Sequence, residues 1–278
     1  MYLAGFVALG GEPAGARVRG CEGATVLVLA SPCIRTPDAL NTSTLAPSHP
    51  RPTGTSAAQD DPDALYRDRD RLESATRAAG IWRERLAKDS KSFESAWKLA
   101  RAQYWLGSNG LPEADRKPAL EAGIEAGRQA VAIDPAKPDG HFWIAANRGA
   151  LAESFGLRQG IRYRGTIREE LETVLKSDPA FLDGSADRAL GRWYFKVPGL
   201  FGGDKKKSEQ HLRKALTYND KSVITRFFLA ETLVELDRKP EAIKELDAAL
   251  AAPDDPEWAP EDRRFKQQAK TLLATLRK

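Results

Sequence analysis

The chain has 278 residues, 41% of them hydrophobic and 29% charged. That mix allows a sizeable core and excludes wholesale disorder. No apolar run approaches the roughly 18 residues of a bilayer span, and two Cys with three His leave neither a disulfide scaffold nor an all-histidine metal site. The net charge of +4 lacks the concentrated basic stripe that a nucleic-acid surface needs.

The first 60 residues differ from the rest of the chain. They carry four charges of each sign, so the positive surplus belongs to the remainder. Residues 34–62 are crowded with Pro, Ser and Thr without helical or strand period, and read as a disordered, solvated linker. Ahead of them stand Arg17-Val18-Arg19, the apolar run Ala24–Ala30, then Ser31-Pro32-Cys33. Basic, apolar, small is the outline of an export signal and points to the periplasm; a plain leader on a cytoplasmic protein is the alternative. Cys33 invites lipidation, but Ala30-Ser31-Pro32-Cys33 lacks the Leu expected three residues before it. Met1 is the sole methionine, and a start nearer Arg17–Arg19 would put the basic pair at the head of the signal. The organisation expected is a leader over 1–62 and one helical domain over 63–278.

Helix begins at Pro62, flanked by Asp61 and Asp63, which suit a helix start. Leu65, Leu72, Ala75, Ala79, Trp82 and Leu86 recur as on one helix face. The chain then repeats itself. Four segments align as helix endings: Gly127–Pro135, Leu171–Pro179, Leu212–Asp220 and Leu246–Asp254. Each runs from a small and large apolar pair to Asp, Asn or Pro, residues that stop helices. Ahead of these lie partner helices with bulky, small and aromatic residues in step. Trp97, Ala100 and Tyr104 come first, then Phe142, Ala145-Ala146 and Gly149. Leu190-Gly191 and Tyr194 follow, then Leu229-Ala230 and Leu233.

This pattern resembles the tetratricopeptide repeat. The last unit, Val223–Pro256, keeps its 34-residue period, while the first three carry roughly ten, nine and five extra residues between their helices. Residues 257–278 trace a further amphipathic helix through Trp258, Phe265, Ala269, Leu272 and Leu273, expected to cap the array. The fold class is therefore all-α: a tetratricopeptide-like right-handed helical-repeat solenoid behind a disordered leader.

Two segments carry a closer resemblance. They are Pro138–Glu153 with Gly156-Leu157, and Ala189–Pro198 with Gly202-Gly203-Asp204; Pro260-Glu261-Asp262 leads into the last helix. Together they look like the regulator of microtubule dynamics family and the bacterial TatT proteins associated with TRAP transporters. Neither is a known enzyme class, so the resemblance implies a non-catalytic binding or scaffold protein without cofactor. Its partner would be a protein or peptide, or else a small ligand or transporter component. A microtubule role is not carried over to a chain with an export-like leader.

In a resembling repeat the first helix of each pair lines a concave groove. Here those positions are Lys98, Trp105, Trp143, Asn147, Arg188, Arg192, Phe195, Phe227 and Glu231. Aromatics with a few polar groups suit a peptide or a small ligand; the competing expectation is that the rings pack between repeats. Arg158, Arg162, Arg164 and Arg168 form a basic face, most simply solvated beside Glu169, Glu170 and Glu172. Lys205-Lys206-Lys207 reads as the first turn of a helix capped by Asp204. Leu200 and Phe201, in an apolar loop, are expected to pack over the repeat edge or to form a lid. Metal, nucleotide and hydrolase motifs are missing from the sequence.

Overall fold

The computed structural model describes residues 61–278, which hold eleven α-helices and no strand. These are α1 (Pro62–Arg67), α2 (Leu72–Lys88), α3 (Phe93–Trp105), α4 (Glu113–Ile133), α5 (Pro138–Ser154), α6 (Leu157–Ser177), α7 (Phe181–Lys196), α8 (Lys205–Leu216), α9 (Val223–Glu235), α10 (Lys239–Ala251) and α11 (Ala259–Leu276). The stretch expected to be an export signal, both cysteines and all of the expected linker but Asp61 and Pro62 lie outside the described residues; Asp61 caps α1 and Pro62 opens it. Each helix packs on its sequence neighbours, and α3, α5, α7, α9 and α11 also touch one another in turn. This is the tetratricopeptide-like right-handed helical-repeat solenoid that the periodicity predicts. Among the described residues no helix is long and apolar enough to cross a membrane.

The helix ends follow from local chemistry. Ser92 Oγ accepts from Ser95 N at 3.3 Å and Ser222 Oγ from Thr225 N at 3.3 Å, so α3 and α9 open on side-chain caps. After α2, α4, α6 and α8 the same turn recurs. Asp89, Asp134, Asp178 and Asn219 each accept, through a side-chain oxygen, the backbone N–H two residues on. An Asx turn leaves the helix and aims the chain at the next one. It explains why Asp or Asn recurs at the helix endings.

The lysines that open α8 need their cap. Asp204 Oδ1 accepts from Lys206 N at 2.9 Å and from Lys207 N at 3.1 Å. It is the only negative charge against three positive ones at the positive end of the helix dipole. Asp204→Ala is expected to lower stability by about 1 kcal/mol, read as a fall in the urea midpoint with unchanged slope.

Three expectations are corrected. The apolar face over 62–86 belongs to two helices, because the chain turns at Asp68–Arg71, where Ser74 Oγ donates to Asp68 Oδ2 at 2.9 Å. Leu72 consequently opens α2 at 41% exposure. Second, the extra residues of the first two units do not all form loops. They lengthen α4 and α6 to 21 residues each and add a π turn at Leu106–Gly110; only the third unit spends them on a loop, around the 3-10 turn Gly199–Phe201. Third, Leu200 neither packs nor covers anything: it is 90% exposed, while Phe201 is half-buried with the Arg164 guanidinium 5.5 Å from its ring centre. The loop closes tightly behind them. A Cβ on Gly203 would lie 1.7 Å from the Val197 carbonyl oxygen, so only glycine fits.

The core falls into successive clusters along the stack. Tyr66, Trp82, Trp105, Trp143 and Leu190 are buried in its first part, and Leu212, Leu229, Leu233 and Leu246 in its last. Small residues sit where helices approach closely: a Cβ on Gly191 would stand 2.5 Å from Leu212 Cγ.

Candidate functional site

The odd-numbered helices surround a chamber of about 470 Å³. Tyr104 of α3, Phe142 and Trp143 of α5 and Trp193 of α7 form one side. Phe228 of α9 and Phe265 of α11 form the other, with Trp258 just ahead of α11. The walls combine apolar and aromatic side chains with polar and charged ones, among them Arg188, Arg192, Glu153 and Glu261.

The chamber is half open, and beside it a clasp joins the two ends of the domain. Arg69, in the turn between α1 and α2, is 2% exposed. Its Nη2 donates to Glu261 Oε2 at 2.5 Å and to the Glu257 carbonyl at 2.6 Å, and its Nε donates to Glu261 Oε1 at 3.3 Å. The Arg69 carbonyl in turn accepts from Trp105 Nε1 at 2.8 Å. Arg101 stacks on Tyr66, 4.0 Å from its ring centre, and pairs with Glu257 at 3.5 Å; Arg263 pairs with Asp70. Burial pushes the Glu261 carboxyl above the usual carboxylate range, and Arg69 only partly offsets this.

A strut crosses the chamber wall. Arg192 Nε donates to Glu153 Oε1 of α5 at 3.1 Å, and its Nη1 donates to Glu231 Oε2 of α9 at 2.6 Å. Its guanidinium lies 4.4 Å from the Phe228 ring centre. One arginine thus ties three repeats together through charge-assisted bonds.

Of the nine groove positions expected from sequence, Trp143, Arg188 and Arg192 line the chamber. Glu231 reaches it only through Arg192. Trp105 is buried under Arg69 in the clasp. Lys98 is turned away from the chamber and pairs with Asp63 at 2.6 Å and Glu94 at 2.5 Å. Those bonds outweigh its partial burial and raise its pKa above the ordinary lysine value. Phe195 lies beneath the Lys205 ammonium, 3.7 Å from its ring centre. Phe227 is in the core, its ring centre 5.5 Å from that of Phe265. Asn147 is fully buried between helices, where Nδ2 donates to the Ala100 carbonyl at 3.1 Å and the Trp143 carbonyl at 2.8 Å.

Sequence reasoning passed over Phe228, Trp258, Glu261 and Phe265. Phe228 follows Phe227 by one residue, about 100° around the helix. The other three belong to the last segment, read only as a cap. Of the basic face, Arg168 pairs with Glu172 at 3.0 Å and Arg164 donates to the Ile161 carbonyl at 2.6 Å; the Arg158 side chain lies outside the described residues. The two described histidines are engaged, His141 with Glu170 at 2.6 Å and His211 with Asp187 at 2.7 Å.

Comparison with known proteins places this geometry. The family described as "Regulator of microtubule dynamics protein 1-3" matches over residues 60–206. Among solved structures, a thermophilic TPR protein of Thermus thermophilus is 22% identical; the match covers 78% of this chain and 99% of that one, with a TM-score of 0.59. A MamA from Desulfovibrio magneticus is 17% identical over 67% of this chain and 92% of that one, with a TM-score of 0.44. The first likeness bears on the fold alone. A search of the curated proteins returns no match.

Proposed function

We propose, for a chain that belongs to the regulator of microtubule dynamics protein 1-3 family, that its repeat domain is a non-catalytic binding module holding its ligand in the concave chamber. The observation that carries this is the concave, half-open chamber lined by aromatic rings from α3, α5, α7, α9 and α11. An open groove suits a long peptide or a partner's helix running through it. Here the first helix layer is walled by α11 and tied at both ends by Arg69, which leaves about 470 Å³. That volume fits a small ligand or the end of a chain.

The aromatic lining also favours a second, narrower reading, a solute-binding accessory component of a TRAP-type transporter. It is supported by the likeness of Pro138–Glu153 and Ala189–Pro198 to TatT proteins.

Gly149 offers the test. It lines the chamber, and a Cβ built there meets nothing within 4 Å. Gly149→Trp is expected to fill the chamber while leaving the melting temperature unchanged or raised, since glycine inside a helix costs roughly 0.5–1 kcal/mol. Native mass spectrometry of protein gently purified from its own cells should show a retained small ligand in the wild type and none in the variant. Equal retention of the same partner by both proteins overturns the chamber reading.

A further inference from the structure

We infer that the chamber takes a carboxylate attached to an apolar body, a small amphipathic organic acid, with Arg188 as its anchoring cation. This rests on the chamber being the binding site and names what it binds.

Arg188 lines the chamber from α7 and is half-buried. Among the described residues its guanidinium makes no hydrogen bond and no ion pair; its one close contact is the Trp258 ring, 5.7 Å from the guanidinium carbon to the ring centre. Of the other arginines nearby, three are engaged, Arg69 by Glu261, Arg101 by Asp63 and Glu257, and Arg192 by Glu153 and Glu231, while Arg264 is exposed at the chamber's edge and keeps its hydration. The acids nearest in charge, Asp183, Glu261 and Asp262, form no ion pair with Arg188. Asp183 Oδ2 accepts from Asn219 Nδ2 at 3.4 Å, Glu261 is held by Arg69, and Asp262 Oδ2 accepts from Asp255 N at 2.9 Å. A partly desolvated guanidinium without an acceptor is an unfavourable arrangement that an anion relieves. Burial accordingly lowers its pKa from the ordinary arginine value, against the raising effect of Tyr104, Asp183, Glu261 and Asp262.

The wall as a whole has the same sign. Arg188, Arg192, Lys196 and Arg264 line it against Glu153 and Glu261, and both carboxylates are already paired. Two further polar groups on chamber-lining residues are buried without a hydrogen-bond partner, the Trp143 Nε1–H and the Ser108 hydroxyl. In a folded protein such groups are normally satisfied. Much of the remaining lining is aromatic or aliphatic, among it Phe142, Ile167, Leu171, Phe228 and Phe265, and receives an apolar body. A guanidinium grips a carboxylate through two parallel N–H···O bonds, so the acid is distinguished from its neutral analogue by charge and by geometry.

Isothermal titration of the described domain in its full chain tests this. The probes are 3-phenylpropionate and decanoate, each beside its primary alcohol, and a short peptide ending in phenylalanine with a free or amidated C-terminus. An acid is expected to bind at least about tenfold tighter than its alcohol, since a hydrogen bond to a charged group contributes on the order of a tenfold factor or more. Arg188→Met should erase that preference, and Arg188→Lys should keep part of it. If Arg188→Met fails to fold, the acid–alcohol comparison on the wild type still decides. Tighter binding of the free-ended peptide than of either acid, lost on amidation, assigns the same chemistry to a chain end. No binding of any carboxylate, or an alcohol bound as tightly as its acid, overturns the inference. Acid binding abolished by Gly149→Trp yet unaffected by Arg188→Met overturns the role of Arg188 and leaves the chamber standing. Acid binding that survives Gly149→Trp overturns both.

Discussion

Arg69→Ala is expected to cost the domain about 3–5 kcal/mol, because it leaves the Glu261 carboxylate buried without its partner. The pair itself contributes far less than that. Burial raises the Glu261 pKa despite the arginine beside it, which marks a desolvation penalty on the carboxylate larger than the attraction that offsets it. The double variant Arg69→Met with Glu261→Leu removes both charges and should recover most of the loss. Thermal and urea melts followed by circular dichroism check both. A single variant within about 1 kcal/mol of the wild type would place the pair among surface ion pairs and remove the clasp from the account of the chamber.

The second large effect is expected inside the first repeat, at Gly123→Ala. Helix propensity alone favours alanine by about 1 kcal/mol. A Cβ at this position, however, stands 2.2 Å from Asn147 Oδ1 and 2.6 Å from its Cγ. Asn147 cannot swing aside, since its amide nitrogen is bonded to the carbonyls of Ala100 and Trp143. Overpacking of this kind costs typically about 1–3 kcal/mol, occasionally more, so after the propensity gain the net change is a destabilisation of about 1 kcal/mol, and up to about 2 where the neighbours cannot yield. In an Asn147→Ala background the clash is gone and Gly123→Ala should be neutral or stabilising. A denaturation cycle over the four proteins measures this coupling; additive effects would mean that the glycine serves some other need.

These two sites show how far the repeat was legible. Small residues at helix crossings follow the period, so Gly123, Gly127 and Gly191 stand out in the sequence as places of close approach. Helix endings follow it too, through Asp134-Pro135 and Asp178-Pro179. The chamber was only partly visible, for a different reason. Arg69 stands within Arg67-Asp68-Arg69-Asp70-Arg71, an alternating charge run that reads as solvent-facing. Its burial depends on a glutamate 192 residues away, and no local pattern carries that information. Phe228 was hidden by its neighbour: two adjacent phenylalanines face different surroundings, and the repeat register had to be right to a single residue to tell them apart. Asn147 shows the reverse case. A polar side chain among apolar ones does want a partner, and its amide nitrogen has two backbone carbonyls while Oδ1 is buried without one.

The clasp also alters how the array should come apart. A stack of repeats is a line, in which each unit leans only on its neighbours and unravelling begins at either tip. Joining the α1–α2 turn to the start of α11 removes the tips: every helix then has company on both sides, and partial unravelling must first break a buried link. A cycle of this kind melts as one cooperative body. Cutting it at Arg69 restores the line, and the melt should then broaden from its ends inward.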